Sequence, residues 1–285
     1  LASYIGFDFK KGVIAESAHP FTTNLHNEDV RITTHYFEDN LESAIFSTIH
    51  ESGHALYEMG VANELSQTPV GGGASCGMHE SQSRFFENII GRSKAFWEPI
   101  YGKLVDTFPE NLANVDLDHF VKAINKVQPD YIRTEADELT YCLHIMIRYE
   151  IEKKIFEEDY PVEDLPKLWQ QLYEEYLGLE PMDDAKGILQ DIHWAQGSFG
   201  YFPSYALGNA FASQIYHQMS KELKVDDLLR DGKVCVIVEY LRENIHKYGA
   251  SRKARRLLKD LTGEEFNPKY YIEYLKDKFT KIYEL

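Results

Sequence analysis

The sequence contains a His-Glu-x-x-His segment at His50, Glu51 and His54. On an α-helix, a spacing of four residues places both histidines on one face, about 6 Å apart along the axis. Two imidazoles so placed can bind one tetrahedral zinc ion, and the glutamate between them can act as general base. The pattern therefore predicts a helix near residues 40–59 that carries two zinc ligands, and it favours a zinc hydrolase.

A catalytic zinc site needs a third protein ligand and one open coordination position. Residues 78–90 have the composition of the next helix, and this segment offers Glu80. A chance match to the two-histidine pattern would be expected to lack such a partner. The sequence therefore predicts His50, His54 and Glu80 as metal ligands, with Glu51 as the base.

Composition excludes several classes of partner. The net charge of −16 argues against nucleic acid and against an anionic membrane surface. The sequence has no apolar run of about 18 residues, as a membrane span requires. Its three cysteines lack the Cys-x-x-Cys spacing, which fits a reducing compartment better than a disulfide framework. We therefore expect a cytoplasmic protein that binds neither nucleic acid nor membranes.

Sheet-like sequence is concentrated in residues 1–37. Residues 4–9 and 13–15 are β-prone, and residues 29–36 alternate between apolar and polar side chains. Such a strand just ahead of a zinc helix is expected to border the cleft, where its edge can pair with an extended peptide. Plain packing within the sheet is the alternative.

The remainder, residues 38–285, has the composition and periodicity of helices. Thr134 and Asp137 form a capping-box pattern that predicts the start of one long helix. No linker divides the chain convincingly, so we predict one mainly α-helical catalytic domain with a small β region. The predicted helices cover residues 40–59, 79–103, 116–127, 134–158, 163–177, 204–222, 232–247, 250–261 and 268–283.

The segment 187–205 is unusually rich in glycine and aromatic residues for a loop. Loops of this composition are often functional, and a zinc peptidase needs donors near the oxyanion that forms at the attacked carbonyl. His193, Tyr201 and Tyr205 are the candidates, and partly buried aromatic side chains are the alternative for each. His19, which precedes Pro20 in a predicted turn, either faces the site or is an ordinary loop histidine.

Six segments together resemble the carboxypeptidase Taq family of zinc metallocarboxypeptidases, in the family's order and over essentially the whole chain. They are His19-Pro-Phe21, Asp29-Val-Arg-Ile-Thr33, His50-Glu-Ser-Gly-His54, His79-Glu-Ser-Gln-Ser-Arg84, Ile132-Arg-Thr-Glu-Ala-Asp-Glu-Leu-Thr140 and Gly187-Ile-Leu-Gln-Asp-Ile-His-Trp194. The resemblance implies removal of single C-terminal amino acids from peptides with broad specificity, zinc or cobalt as cofactor, and a cytosolic homodimer.

The resemblance also implies particular site residues and a fold. Arg133 would bind the terminal carboxylate of the substrate, with Arg31 and Arg84 as further candidates. The implied fold is mainly helical with a deep groove, similar to neurolysin-like oligopeptidases and angiotensin-converting enzymes. Family members carry an N-terminal helical region before the segment that Leu1 begins, so this chain is expected to be the C-terminal part of a larger peptidase.

Three alternatives remain open. A zinc endo-oligopeptidase of related fold would use the same metal and base. A di-iron helix bundle is suggested by three Glu-x-x-His pairs, although Pro20 directly follows the first. A helical binding protein descended from a peptidase is the non-enzymatic alternative. The pairs are Glu16 with His19, Glu51 with His54, and Glu243 with His246.

Overall fold

The computed structural model describes residues 1–180 and 183–285. It confirms a mainly helical chain with a small sheet. The strands are β1 (Gly12–Glu16), β2 (Thr22–His26) and β3 (Asp29–Thr34). The α-helices are α1 (Ala2–Ile5), α2 (Leu41–Gly60), α3 (Cys76–Arg84), α4 (Lys94–Trp97), α5 (Tyr101–Thr107), α6 (Pro109–Leu112), α7 (Leu117–Ile124), α8 (Tyr141–Glu157), α9 (Leu165–Leu177), α10 (Pro203–Glu222), α11 (Val225–Arg230), α12 (Val234–Asn244), α13 (Ala254–Thr262) and α14 (Lys269–Tyr283).

One π-helix and three short 3₁₀ segments complete the secondary structure of the described residues. A π-helix, Phe85–Ile90, continues directly from α3. Short 3₁₀ segments lie at Arg133–Glu135, Val162–Asp164 and His246–Ser251. Among the described residues, no helix is both long and apolar enough to cross a membrane.

The chain forms two compact units. The first comprises residues 1–124 and 207–285, and the second comprises residues 125–206. The core of the first unit surrounds α2, whose Ile45, Ile49 and Leu56 are buried. The core of the second unit joins α8 to α9 through Ile147, Ile151, Leu165, Leu168, Trp169, Leu172, Tyr173 and Leu177. The prediction of a single catalytic domain stays a prediction.

The helix α2 begins and ends as its sequence predicts. The Asn40 side chain accepts a hydrogen bond from the Ser43 N–H at 3.0 Å, which satisfies one of the free donors of the first turn. Its apolar residues follow the helical period and pack into the core of the first unit. The last residue is Gly60, where a Cβ would lie 2.6 Å from the Cβ of His246.

The three strands pair in the order β1-β3-β2, with β1 parallel and β2 antiparallel to β3. The prediction of a free edge on the strand at residues 29–36 is therefore wrong, because β3 is the middle strand. The open edges belong to β1 and β2. Residues 4–9 are not a strand either, since Ala2 and Ile5 bury one face of the short helix α1.

Two predicted helix boundaries were also wrong. The segment at 79–103 is divided into α3, the π-helix, α4 and α5. The capping-box pattern at Thr134 does not start a helix, because α8 begins only at Tyr141. The Asp137 carboxylate instead accepts hydrogen bonds from the N–H groups of Leu139 and Thr140, which stabilises the turn before α8.

Candidate metal centre

Three side chains of the first unit converge on one point. His50 and His54 lie on α2, and Glu80 lies on α3. The Glu80 Oε2 atom is 3.7 Å from His50 Nε2 and 3.4 Å from His54 Nε2. Bonds of about 2.0–2.1 Å at tetrahedral angles place the ligand atoms of zinc about 3.4 Å apart. The three atoms are therefore spaced as ligands of one ion.

The donor set also fits a metal ion. Two imidazoles and one carboxylate form a typical catalytic zinc set, which leaves a fourth position open. Residues 1–180 and 183–285 contain one group of three or more His, Cys, Asp or Glu side chains whose ligand atoms lie within 4.8 Å of one another. That group is His50, His54 and Glu80. The pair Glu243 and His246 contributes nothing to such a set, since the His246 Nε2 atom bonds Gln82 Oε1 at 2.8 Å.

A glycine on each of two helices allows Glu80 to reach this point. At Gly53 of α2, a Cβ would lie 2.7 Å from the Gln82 carbonyl oxygen, so the backbones of α2 and α3 are in direct contact. At Gly208 of α10, a Cβ would lie 2.4 Å from Glu80 Cγ. The Glu80 side chain is therefore confined between α2 and the backbone of α10.

Hydrogen bonds fix which Glu80 oxygen faces the histidines. Arg84 Nε donates to Glu80 Oε1 at 2.7 Å. The other oxygen, Oε2, accepts from Ser83 Oγ at 3.1 Å and faces His50 and His54. One carboxylate oxygen is thus held by the guanidinium while the other is directed toward the metal position.

The His50 ring is oriented by a carboxylate from the π-helix. Glu87 Oε2 lies 2.7 Å from His50 Nδ1 and 3.1 Å from Arg84 Nη1. Because the carboxylate is an acceptor, Nδ1 of His50 carries a proton, and Nε2 is the atom that would bind a metal. Sequence patterns did not identify Glu87, because its contact with His50 joins residues 37 positions apart.

The two carboxylates of the centre are ionised. Burial raises the pKa of Glu80, but the charges of Arg84 and His50 outweigh this effect and hold the pKa well below its ordinary value. Burial likewise opposes ionisation of Glu87, and Arg84 together with the His50 hydrogen bond lowers the pKa of Glu87 to about 2. Burial lowers the pKa of His54, which favours the neutral imidazole that a metal requires. Two buried anions therefore meet at Arg84, and Glu87 also approaches the Arg92 guanidinium at 4.0 Å.

A residue of the sheet forms hydrogen bonds with Glu51. The Thr22 hydroxyl on β2 lies 2.6 Å from Glu51 Oε2 and 3.0 Å from the Glu51 carbonyl oxygen. Glu51 is only 6% exposed. The strand β2 therefore orients the predicted base. No sequence pattern identified Thr22, because the contact joins residues 29 positions apart.

The model of the carboxypeptidase Taq (M32) metallopeptidase family matches residues 1–279 of this chain. The chain belongs to this family. It is 51% identical over 280 residues to Carboxypeptidase 1 of Bacillus subtilis, a match that covers 98% of this chain and 56% of that protein. It is 42% identical to Thermostable carboxypeptidase 1 of Thermus thermophilus, over 99% of this chain and 56% of that protein.

A solved carboxypeptidase Taq family structure agrees with the fold. The M32 carboxypeptidase from Deinococcus radiodurans R1 superposes with a TM-score of 0.97 at 40% sequence identity, covering 100% of this chain and 57% of that one. The chain thus spans just over half the length of the relatives it matches. The family predicted from the six sequence segments is confirmed.

The second unit contains the family's Ile-Arg segment, and its arginine is paired. Arg133 donates from Nε at 3.0 Å and from Nη2 at 2.7 Å to Asp191 Oδ1, and from Nη1 at 3.0 Å to the Tyr141 hydroxyl. Arg148 contacts the other oxygen of Asp191 at 2.6 Å. Arg133 therefore forms a buried salt bridge with Asp191.

Three aromatic-loop candidates lie together in this unit. His193 Nε2 is 3.0 Å from the Tyr205 hydroxyl, and the His193 and Tyr201 ring centroids are 5.5 Å apart. The Nδ1 atom of His193 is buried and has no hydrogen-bond partner among the described residues. Burial and the charge of Arg133 lower the pKa of His193, so the ring is neutral near pH 7.

Of the remaining candidates for substrate binding, Arg84 is paired with Glu80 and Glu87, and the other two lie in the sheet region of the first unit. His19 is exposed in the turn between β1 and β2. Arg31 on β3 forms a bidentate pair with Asp29, at 2.9 Å for both contacts, and its side chain is half exposed. Neither contacts the three metal-ligand candidates in the described interactions, and their substrate-binding roles stay predictions.

The close packing of α10 against Glu80 leads to a test. Gly208→Ala should weaken Zn²⁺ binding by about 10–100-fold, the range typical when the support of a metal ligand is disturbed. The new methyl group must displace the Glu80 side chain, since its Cβ would lie 2.4 Å from Cγ. Zinc affinity is measured by competition with a chromophoric chelator.

Gly102→Ala is the matched control, because Gly102 lies within α5 and has open space around it. It should leave zinc affinity unchanged and slightly raise the free energy of unfolding, by about 0.5–1 kcal/mol. Equal zinc affinity of both variants and the unaltered protein would show that the position of Glu80 does not govern metal binding.

Proposed function

We propose that this chain carries the catalytic centre of a zinc metallocarboxypeptidase that releases single amino acids from the C-terminus of peptides with broad specificity. The observation that best supports this proposal is that His50, His54 and Glu80 converge at the spacing of zinc ligands. Membership of the carboxypeptidase Taq family, whose relatives are named carboxypeptidases, supports the reaction class.

His50, His54 and Glu80 would hold the ion through two nitrogens and one oxygen. We infer zinc, with cobalt as a possible substitute, because imidazole and carboxylate ligands in a four-coordinate site suit both. When bound, the ion supplies a Lewis acid that polarises the substrate carbonyl and lowers the pKa of water.

Glu51 accepts the proton of the attacking water in this proposal. Its carboxylate lies on the same helix as the two histidines and is oriented by the Thr22 hydroxyl. A general base must be held within hydrogen-bond reach of the proton it removes, and a buried hydrogen-bonded carboxylate meets this need better than a mobile one. The same group then returns the proton to the departing amine.

We assign stabilisation of the oxyanion to His193 and Tyr201. A neutral histidine and a tyrosine are both hydrogen-bond donors without a positive charge of their own. Tyr205, His19 and Arg31 are assigned to substrate binding. Arg133 is assigned to the terminal carboxylate, because a guanidinium binds a carboxylate through two parallel hydrogen bonds.

Further properties of the proposal follow from the family resemblance and composition. We infer that both units belong to one catalytic domain, with a deep groove similar to that of neurolysin-like oligopeptidases. The inferred assembly is a homodimer, and the inferred location is the cytoplasm. Among the described residues, none of the three cysteines forms a disulfide, which suits a reducing compartment.

A zinc endo-oligopeptidase is the second candidate, and one observation favours it. The Arg133 and Arg31 guanidinium groups are already paired with Asp191 and Asp29. A carboxypeptidase must bind a free carboxylate, whereas an endopeptidase has no such requirement.

A matched pair of peptides tests the proposed function. Hydrolysis of a free-acid peptide should release its terminal amino acid, whereas the same peptide with a C-terminal amide should be cut far more slowly. An excess of chelator should abolish hydrolysis, and added zinc or cobalt should restore it. Internal cleavage of both peptides at equal rates would identify an endopeptidase instead. Full activity in excess chelator, with no metal detected, would exclude the metal centre.

Glu51→Gln separates chemistry from metal binding. Glutamine has nearly the same shape but cannot accept the proton, so turnover should fall by at least about 100-fold while zinc content stays unchanged. Zinc content is measured on the same preparation as turnover. Retention of more than about a tenth of the turnover would remove Glu51 from the mechanism.

Arg133→Ala tests the carboxylate contact. If Arg133 binds the terminal carboxylate, kcat/KM for the free-acid peptide should fall by about 30-fold or more, since loss of one partner of a buried charge pair typically costs about 2–5 kcal/mol. The amidated peptide should be nearly unaffected. Arg133→Lys should recover only part of the loss.

Arg31→Ala is the comparison variant, because its pair with Asp29 is exposed and contributes little to stability. An equal loss on both peptides with Arg133→Ala, together with a lower Tm, would assign Arg133 to the stability of its unit through Asp191. A selective loss with Arg31→Ala would move the carboxylate contact to β3.

A further inference from the structure

His79 contacts the side of the His54 ring that is opposite the predicted metal position. His54 Nδ1 is 2.6 Å from His79 Nδ1, and His79 Nε2 is 2.6 Å from Glu58 Oε1. The other Glu58 oxygen accepts from Asn24 Nδ2, also at 2.6 Å. Four side chains therefore form a continuous hydrogen-bond chain from β2 to a predicted metal ligand.

The polarity of this chain follows from its terminal carboxylate. An ionised Glu58 only accepts hydrogen bonds, so the facing Nε2 atom of His79 carries a proton. In a neutral imidazole the other nitrogen is then an acceptor, so Nδ1 of His79 accepts from Nδ1–H of His54. This arrangement leaves the lone pair at His54 Nε2, the atom that faces Glu80.

Packing holds the His79 ring in this position. A Cβ at Gly73 would lie 2.6 Å from His79 Cδ2, so the Gly73 backbone lies close against the ring. The Tyr57 ring lies on another side, with 5.1 Å between ring centroids. Glu58 itself is only 6% exposed. His79 and Glu58 are thus confined groups, whereas Asn24 at the far end of the chain is exposed.

The same strand supports the predicted base. Thr22 and Asn24 are two residues apart on β2 and so share one face. Their partners Glu51 and Glu58 are seven residues apart on α2, which is about two helical turns. One strand face therefore holds both the base and the far end of the chain behind His54.

We propose that His79 and Glu58 are positioning residues that set the tautomer and orientation of His54 and thereby raise the zinc affinity of the centre. This inference rests on the proposed metal centre and deepens it. Partners behind a metal-ligating histidine fix its ring and raise its basicity, and their loss typically lowers metal affinity by about 10–100-fold. His50 has a direct carboxylate partner in Glu87, whereas His54 reaches its carboxylate through a second imidazole.

Zinc affinity is the decisive measurement. His79→Phe should weaken Zn²⁺ binding by about 10–100-fold in competition with a chromophoric chelator. His79→Gln should recover part of that loss, because its side-chain oxygen can still accept from His54 Nδ1–H. Glu58→Gln should fall between these two variants, since it keeps an acceptor but loses the charge. Asn24→Ala, at an exposed position, should show the smallest effect of the four.

His119→Phe is the matched control, because His119 forms an exposed histidine–carboxylate pair with Asp116 at 2.9 Å. It should leave zinc affinity unchanged. A second readout is the imidazole ¹⁵N spectrum of the zinc-loaded protein, in which His54 should be protonated at Nδ1 and His79 at Nε2. The Tm of the metal-free protein separates loss of positioning from loss of folding.

The outcomes separate the positioning role of His79 and Glu58 from the existence of the metal centre. If the unaltered protein binds no zinc, the metal centre itself is wrong. If it binds zinc and His79→Phe binds equally well with an unchanged metal-free Tm, only the positioning role is overturned. The positioning role is likewise overturned if His79→Gln and His79→Phe lose the same affinity.

Discussion

The metal centre depends on the direct contact between the backbones of α2 and α3. Gly53 removes the side chain that would keep these helices apart, and Glu80 is thereby placed against His50 and His54. A buried carboxylate between two imidazoles is costly unless opposite charge compensates it. Arg84 compensates part of this charge at one oxygen, and the other oxygen remains directed toward the position that a cation would occupy. The helix contact therefore sets the geometry of the site and also places a buried negative charge there.

Hydrogen bonds hold the two histidines and the predicted base in place. His50 is held by Glu87, His54 by His79, and Glu51 by Thr22. These supports come from three different elements, namely the π-helix, α3 and β2. A metal site gains affinity when its ligands lose little freedom on binding, because that entropy has already been lost in folding. The small sheet thus packs against α2 and orients the predicted base on that helix through Thr22.

Sequence patterns predicted what is local and missed what is tertiary. The four-residue spacing of His50 and His54 depends on a single helix, so the placement of both histidines on one helix face was predictable. Thr22 and Glu87 could not be assigned, since each acts through a partner on another element. The capping-box pattern at Thr134 failed for a physical reason, because the Asp137 side chain stabilises a turn there instead. Similarly, residues 4–9 are β-prone, yet burial of Ile5 favours the short helix α1.

The arginine pair of the second unit bears on the distinction between the two proposed activities. Arg133 and Arg148 share the single carboxylate of Asp191, so two positive charges face one negative charge. Asp191 keeps its pKa below the ordinary value, since the bonds from both guanidinium groups outweigh the effect of burial, and it is therefore ionised. Both arginines therefore meet at one ionised carboxylate. In the proposed carboxypeptidase, the terminal carboxylate of a substrate would compete with Asp191 for the Arg133 guanidinium, whereas an amide would not. The endo-oligopeptidase alternative requires no such exchange, because an internal peptide bond carries no charge.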